Sequence, residues 1–200
     1  MFLLLNFFFS ICFGQEIKSV KDPVLIYAQK LNKELFNVYH FKGFEQRYLD
    51  LLLVRINFDI NNDGLNDIAI ANSFEEGNAG FFWDIYLGEK TGTYRYIEPV
   101  FFHPDAFAIH PKDKNQTELF TYHRMGADEG YLEKYNIYNS GIKLEKSETI
   151  HVNANMEDKK KYDELFNNNK SNKPLVENCY LHEYLEKRTC KWMQGYYREK

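Results

Sequence analysis

Cysteine is scarce in this chain: there are three in 200 residues, and one of them, Cys12, falls in the first apolar stretch. A chain processed behind that stretch keeps Cys179 and Cys190, enough for a single disulfide. An excess of positive charge is also missing. Lys and Arg total 25 against 29 Asp and Glu, a net charge of −4, which argues against nonspecific nucleic-acid binding, since that needs a concentrated positive field. No Gly-x-Ser-x-Gly elbow, P-loop or Rossmann glycine motif occurs, so the common nucleophile and nucleotide sites have no foothold. No long low-complexity linker divides the chain. The run Phe2–Phe13, broken only by Asn6 and Ser10, is too short for a comfortable transmembrane helix and suits the core of a signal peptide. Residues 1–14 are therefore expected to be a leader cleaved after Gly14, with 15–200 one exported domain, periplasmic or secreted, and no stable membrane insertion afterwards. Phe9-Ser10-Ile11 before Cys12 makes a poor lipobox.

What the chain does have is aromatic bulk. Fifteen Tyr, 17 Phe and 44% hydrophobic residues can fill one substantial core. Leu25, Ala28, Leu31, Leu35 and Val38 fall near one face at helical spacing, with Pro23 placed to start the helix. Residues 40–157 read as strands joined by polar loops, at 49–58, 67–72, 81–87, 93–97, 118–124, 131–138 and 142–150. Phe81, Trp83 and Ile85 alternate as one buried strand face, and core packing is preferred over a sugar platform for Trp83. Asn139-Ser140-Gly141 signals a tight turn. A helix is expected over 158–168 and a helical region over 175–197. The fold class is mainly β, with helices near both termini.

One stretch demands a specific chemistry. Asp59-Ile60-Asn61-Asn62-Asp63-Gly64-Leu65-Asn66-Asp67 places oxygen side chains at relative positions 1, 3, 5 and 9 and glycine at 6. Calcium takes six to eight oxygens on a tightly folded loop. Asp59, Asn61, Asp63 and Asp67 supply four, the carbonyl of Leu65 a fifth, and water the remainder; Gly64 lets the backbone wrap. The same residue types favour turns without any metal. Relative position 12 is Ile70 where an EF-hand needs Glu, and the flanks are apolar and strand-forming, so the picture is strand, ion loop, strand. Followed by Gly80-Phe81-Phe82-Trp83-Asp84-Ile85-Tyr86-Leu87-Gly88 and Gly92-Thr93-Tyr94, this segment, about residues 54–97, resembles the calcium hairpin of integrin-type FG-GAP or VCBS repeats. The resemblance implies Ca2+ on Asp59, Asn61, Asp63, Leu65 and Asp67. A single copy does not support a propeller.

Further on, Thr121-Tyr122-His123-Arg124-Met125-Gly126, then Gly130-Tyr131, Tyr135 and Gly141-Ile142-Lys143-Leu144, give residues 50–150 an order similar to small periplasmic proteins that carry one calcium hairpin. Ile142 departs from the simpler Gly-Lys-Leu turn. Some relatives of that architecture inhibit bacteriolytic enzymes, including lysozyme-like hydrolases, or protect against rival effectors. The resemblance implies a non-enzymatic, protein-binding role. An exposed loop, His123 to Gly130, would enter a partner's cleft: Arg124 pairs with acidic groups there, Asp128 adds charge complementarity, and Tyr131 adds contact area at the base. A plain polar hairpin connection is the competing reading. Alternatives from other classes are a glycan- or envelope-binding module and a metal-dependent hydrolase assembled from His103, His110 and His123 with Asp105, Asp128 and Glu129. Those histidines lack zinc spacing, and Glu75-Glu76 are adjacent where a glycosidase needs opposed carboxylates.

Cys179 and Cys190 are expected to form a disulfide in an oxidising compartment. On one unbroken helix their eleven-residue separation would put them about 16 Å apart, beyond the reach of a disulfide, so the helix has to break. Free thiols, or a zinc cluster with His182, are the alternatives.

Overall fold

The computed structural model describes residues 19–38, 52–71, 79–168 and 174–194. The expected leader, 1–14, lies outside them. Among the described residues, eleven strands form two antiparallel sheets. The larger has the order β1-β5-β4-β3-β2-β10-β11, built from β1 (Ser19–Val20), β2 (Leu52–Phe58), β3 (Asp67–Ala71), β4 (Phe81–Gly88), β5 (Tyr94–Phe102), β10 (Val176–Tyr180) and β11 (Met193–Gln194). The smaller is a meander of β6 (Phe107–Asp113), β7 (Gln116–Arg124), β8 (Gly130–Tyr138) and β9 (Gly141–Ile150).

Alternation of side chains across the strands sorts the apolar residues into three layers of packing. Val54, Ile56, Ala69, Trp83, Ile85 and Val100 of the large sheet meet Phe107, Leu119 and Ile137 of the small sheet in a shared core. On the far face of the large sheet, Leu53, Ile68, Ile70 and Tyr86 pack against helix α1 (Pro23–Val38) and the short α3 (Leu181–Lys187). Ala108, Leu132 and Ile150, on the outer face of the small sheet, cover Phe166. That residue lies in the π-helical turn Asp163–Asn167, which continues α2 (Met156–Tyr162). The arrangement is helix, sheet, sheet, helix. Because β3 is central in a sheet covered on both faces, all five of its residues are buried, and its short apolar run Ile68-Ala69-Ile70-Ala71 is the composition such a position selects.

Helix α1 begins where the sequence says it should. Asp22 accepts the Leu25 N–H at 2.9 Å, with Pro23 at the first helical position, where no N–H is needed. Val24, Tyr27, Ala28 and Leu31 are its buried residues, the i, i+3, i+4, i+7 stripe of an amphipathic helix. Trp83 is wholly buried, stacks on Phe102 at 5.0 Å and donates its indole N–H to the Phe102 carbonyl, so it is a core residue and offers no sugar platform. The terminal region differs from the expected helix over 175–197: among its described residues only Leu181–Lys187 is helical, flanked by β10 and β11. β6 also occupies a stretch read as loop. Its Pro111 is tolerated because β6 is the edge of its sheet and carries an irregularity beside that residue.

Edges are protected. β1 and β11 are two residues each, and β9, the other edge of the small sheet, is lined with exposed Lys and Glu, features that oppose edge-to-edge pairing. No helix among the described residues is long and apolar enough to cross a membrane.

Candidate metal centre

The loop between β2 and β3 is built by its own side chains. Asp59 accepts the N–H groups of Asp63 and Gly64 at 3.0 and 2.8 Å, and Asp63 accepts that of Leu65 at 2.8 Å. These are the backbone donors that a turn leaves without partners, and capping them with carboxylates fixes the wrap. Two residues take left-handed backbone, Asn62 at φ 59° and Gly64 at φ 87°; asparagine and glycine are the types that do so at least cost. Ile60 points inward and is fully buried, anchoring the loop in the shared core.

Asp67 closes the loop from within. It is 0% exposed and each carboxylate oxygen takes one backbone N–H, Ile60 at 2.8 Å and Gly88 at 2.7 Å. Burial pushes its carboxyl up to about 7, helped by the charges of Asp63 and Asp59 and opposed by those two hydrogen bonds. Three acids in one loop, one of them buried, form a site of high negative potential, and a bound cation would reverse that local balance. Asn61 is the fourth oxygen residue. It is 1% exposed, its Nδ2 donates to Asp63 and to Asn139, and its Oδ1 is buried with no hydrogen-bond partner among the described residues. A buried carbonyl oxygen left in this way costs about 1–3 kcal/mol.

The four oxygen residues of the motif thus share one wrapped loop. No group of three or more His, Cys, Asp or Glu side chains among the described residues converges tightly enough to hold an ion, and the three aspartates are turned onto backbone N–H groups. Each carboxylate accepts two N–H bonds in this arrangement, fewer than the roughly four lone-pair sites an ionised carboxylate offers. Together with the orphaned Asn61 oxygen, the donor set is hard, all-oxygen and chemically suited to a divalent cation.

Contacts that spacing could not reveal tie this loop to the other sheet. Asn61 Nδ2 reaches Asn139 Oδ1 at 2.7 Å in the β8–β9 turn. Asn62 Nδ2 donates to the Asp113 carbonyl and the Asn62 carbonyl accepts the Asn115 N–H, both in the β6–β7 turn. Arg95 of β5 donates to the Asn139 carbonyl. The loop is a joint between the two sheets. Only Asn139 carried a signal in the sequence, as a turn residue.

The second predicted group is assembled differently. His123 and Tyr131 face each other across β7 and β8, ring centroids 5.4 Å apart. The His123 Nδ1 is buried without a partner among the described residues, and burial lowers its pKa. Arg124 turns back on its own loop, donating to the carbonyls of Gly126 and Ala127. Met125 and Gly126 both donate their N–H to the Glu129 carbonyl, and Asn153 donates to that of Ala127. Residues 124–129 are exposed on this braced frame, which presents Asp128 and Glu129 beside the Arg124 guanidinium.

Among the described residues, the remaining histidines do not converge. His103 Nδ1 accepts the Asp105 N–H, His110 packs on Phe120, and His182 on Tyr180. Cys179 and Cys190 are joined, with Cα atoms 6.1 Å apart. The break demanded by their spacing is the end of α3, where Arg188 adopts φ 57° and reverses the chain. No family model, no curated protein sequence and no solved structure matches this chain.

Proposed function

We propose that this chain is an exported β protein whose Asp59–Asp67 loop binds one calcium ion as a structural staple, and which binds a protein partner without turning it over. The observation that carries the ion site is the buried Asn61 Oδ1, left without a partner inside a loop that also holds Asp59, Asp63 and Asp67. Asp59, Asn61, Asp63, the Leu65 carbonyl and Asp67 are the proposed ligands. Calcium there would neutralise the crowded carboxylates and stiffen the joint between the sheets; extracellular modules of this kind work with affinities of about 10⁻⁴ to 10⁻³ M. The partner-binding part rests on the loop 125–129, exposed yet braced by Arg124 and Asn153. Loops held in their bound shape lose less entropy on association. In this reading Arg124 shapes the loop, and Met125, Asp128 and Glu129 meet the partner, with inhibition of a bacteriolytic enzyme or an immunity-like role the leading form.

Calorimetric titration of calcium into demetallated protein tests the ion. One site per chain is expected, abolished in the Asp59→Asn/Asp63→Asn double variant. Absence of both heat and a rise in thermal stability would sink the proposal. Glycan binding retains one observation, the row Phe82, Phe101, His123 and Tyr131, in which neighbouring rings lie 4.9, 5.0 and 5.4 Å apart and Phe82 is 42% exposed.

A further inference from the structure

On the helix face of the large sheet, away from the ion loop, a cleft of about 390 Å³ opens beside the disulfide. Its walls include Lys21, Arg55, Tyr94, Tyr184, Arg188 and Trp192. The volume falls within the usual range of small-molecule sites, roughly 300–1,000 Å³. Three cations and one acid, Asp22, line it, in a protein whose net charge is −4.

The nearby acids are already engaged. Asp22 caps α1 through the Leu25 N–H and accepts the Tyr184 hydroxyl at 3.2 Å. Glu177 holds Arg55, with Nε to Oε2 at 3.1 Å, and also accepts Asn57. Arg55 is fixed a second time, its guanidinium carbon 3.6 Å from the centre of the Trp192 ring. Lys21 and Arg188 are exposed, and neither makes an ion pair with any described residue. Two cations without an ion pair among the described residues thus flank one that is locked in place.

Arg188 adds an independent observation. Three described residues other than glycine have positive φ: Asn62, Asn115 and Arg188. Asparagine visits this region readily; arginine does not, and glycine is the usual choice just past the end of a helix. A long cationic side chain stands at the mouth of the cleft where glycine would relieve the backbone. Strain of this kind tends to mark positions retained for a site.

We propose that this cleft binds a small single-ring acid, a carboxylate or phosphate monoester, with its oxyanion between Lys21 and Arg188 and its ring against the aromatic wall of Tyr94, Tyr184 and Trp192. Arg55, braced by Glu177, supplies a fixed positive field behind the ring. The site is separate from the calcium reading and does not depend on it.

Phenyl phosphate and benzoate, titrated at constant ionic strength and followed by tryptophan fluorescence and calorimetry, test this directly, with inorganic phosphate and benzyl alcohol as the half-ligands. Saturable binding is expected for at least one ring acid, about tenfold tighter than for either half-ligand, the two ring acids separating the carboxylate from the phosphate source. Losing one charged hydrogen bond corresponds to about tenfold or more in affinity, so Lys21→Ala and Arg188→Gly should each weaken binding by that factor. Arg188→Gly should also raise the melting temperature, because it removes the left-handed arginine. Ring acids binding no better than benzyl alcohol, or unchanged affinity in both variants, would overturn the proposal.

Discussion

Gly64 lies within the ion loop and Gly88 beside it at the end of β4, and the two are required for different reasons, which makes a sharp experiment. A Cβ built on Gly88 would sit 2.3 Å from the Asn66 carbonyl oxygen and 3.2 Å from its carbon. Both atoms are backbone, so no flexible side-chain end can swing away. The displacement would fall on the Gly88 N–H, which donates to Asp67 at 2.7 Å. Overpacking of a tight site costs about 1–3 kcal/mol, and a hydrogen bond to a charged group is worth about 1.5–3; together about 2.5–6 kcal/mol is expected for Gly88→Ala. At a urea slope of about 2 kcal/mol per molar, the unfolding midpoint should fall by about 2 M. Gly64 has φ 87° and nothing within 4 Å of its would-be Cβ, so Gly64→Ala should cost only about 1–2 kcal/mol, from backbone conformation alone. Urea melts of both variants and the wild type, with and without calcium, give the comparison. A Gly88→Ala midpoint within about 0.5 M of wild type, with the slope unchanged, would refute the reasoning. So would an order in which Gly64→Ala is the worse of the two.

Two further outcomes follow from sites already described. Removing the disulfide with Cys179→Ala/Cys190→Ala releases a loop with a sequence separation of 11 and should lower stability by about 3 kcal/mol on chain-entropy grounds, read as a drop in melting temperature; an unchanged temperature would show the bond to be dispensable. His123 has its pKa lowered by burial, with the charge of Glu133 acting the other way, so the unfolded chain takes up a proton before the folded one does. Stability should fall as pH drops through about 6.5 and below. His123→Phe should flatten that part of the profile relative to wild type, and superimposed profiles would contradict the assignment.

Much of the fold was legible because its signals are local. Pro23 with the helical spacing of Leu25, Ala28 and Leu31 located α1, although the buried stripe also takes in Val24 and Tyr27; the alternation Phe81, Trp83, Ile85 located β4 and its buried face, and the cysteine spacing required the chain to turn back. β6 and β10 were hidden for physical reasons. β6 carries Pro111, a residue that argues against a strand in general, yet an edge strand tolerates a proline that a central strand would not. Val176–Tyr180 looks amphipathic in isolation and is a strand only because β2 offers it a partner at sequence separations near 120. The candidate site divides in the same way. The ion loop's oxygen pattern is contained within nine residues, so spacing found it. Its attachment to Asn139 and Asn115, and the cleft formed by Lys21, Arg55, Arg188 and Trp192, depend on topology that no window of sequence contains.

That late-arriving strand has a consequence for how the molecule is made. β2 pairs with β3 on one side, but its other edge has to wait for residues 176–180, with Arg55 and Asn57 meeting Glu177 only then. During synthesis at about 5–20 residues per second, β2 is a bare edge for at least several seconds. Such an edge is a template for the wrong neighbour. The disulfide confines β10, α3 and the return to β11 to one small cross-linked unit, which can dock as a preassembled piece. Oxidation before docking would shorten the vulnerable interval, and a chain kept reduced while it folds would aggregate through β2.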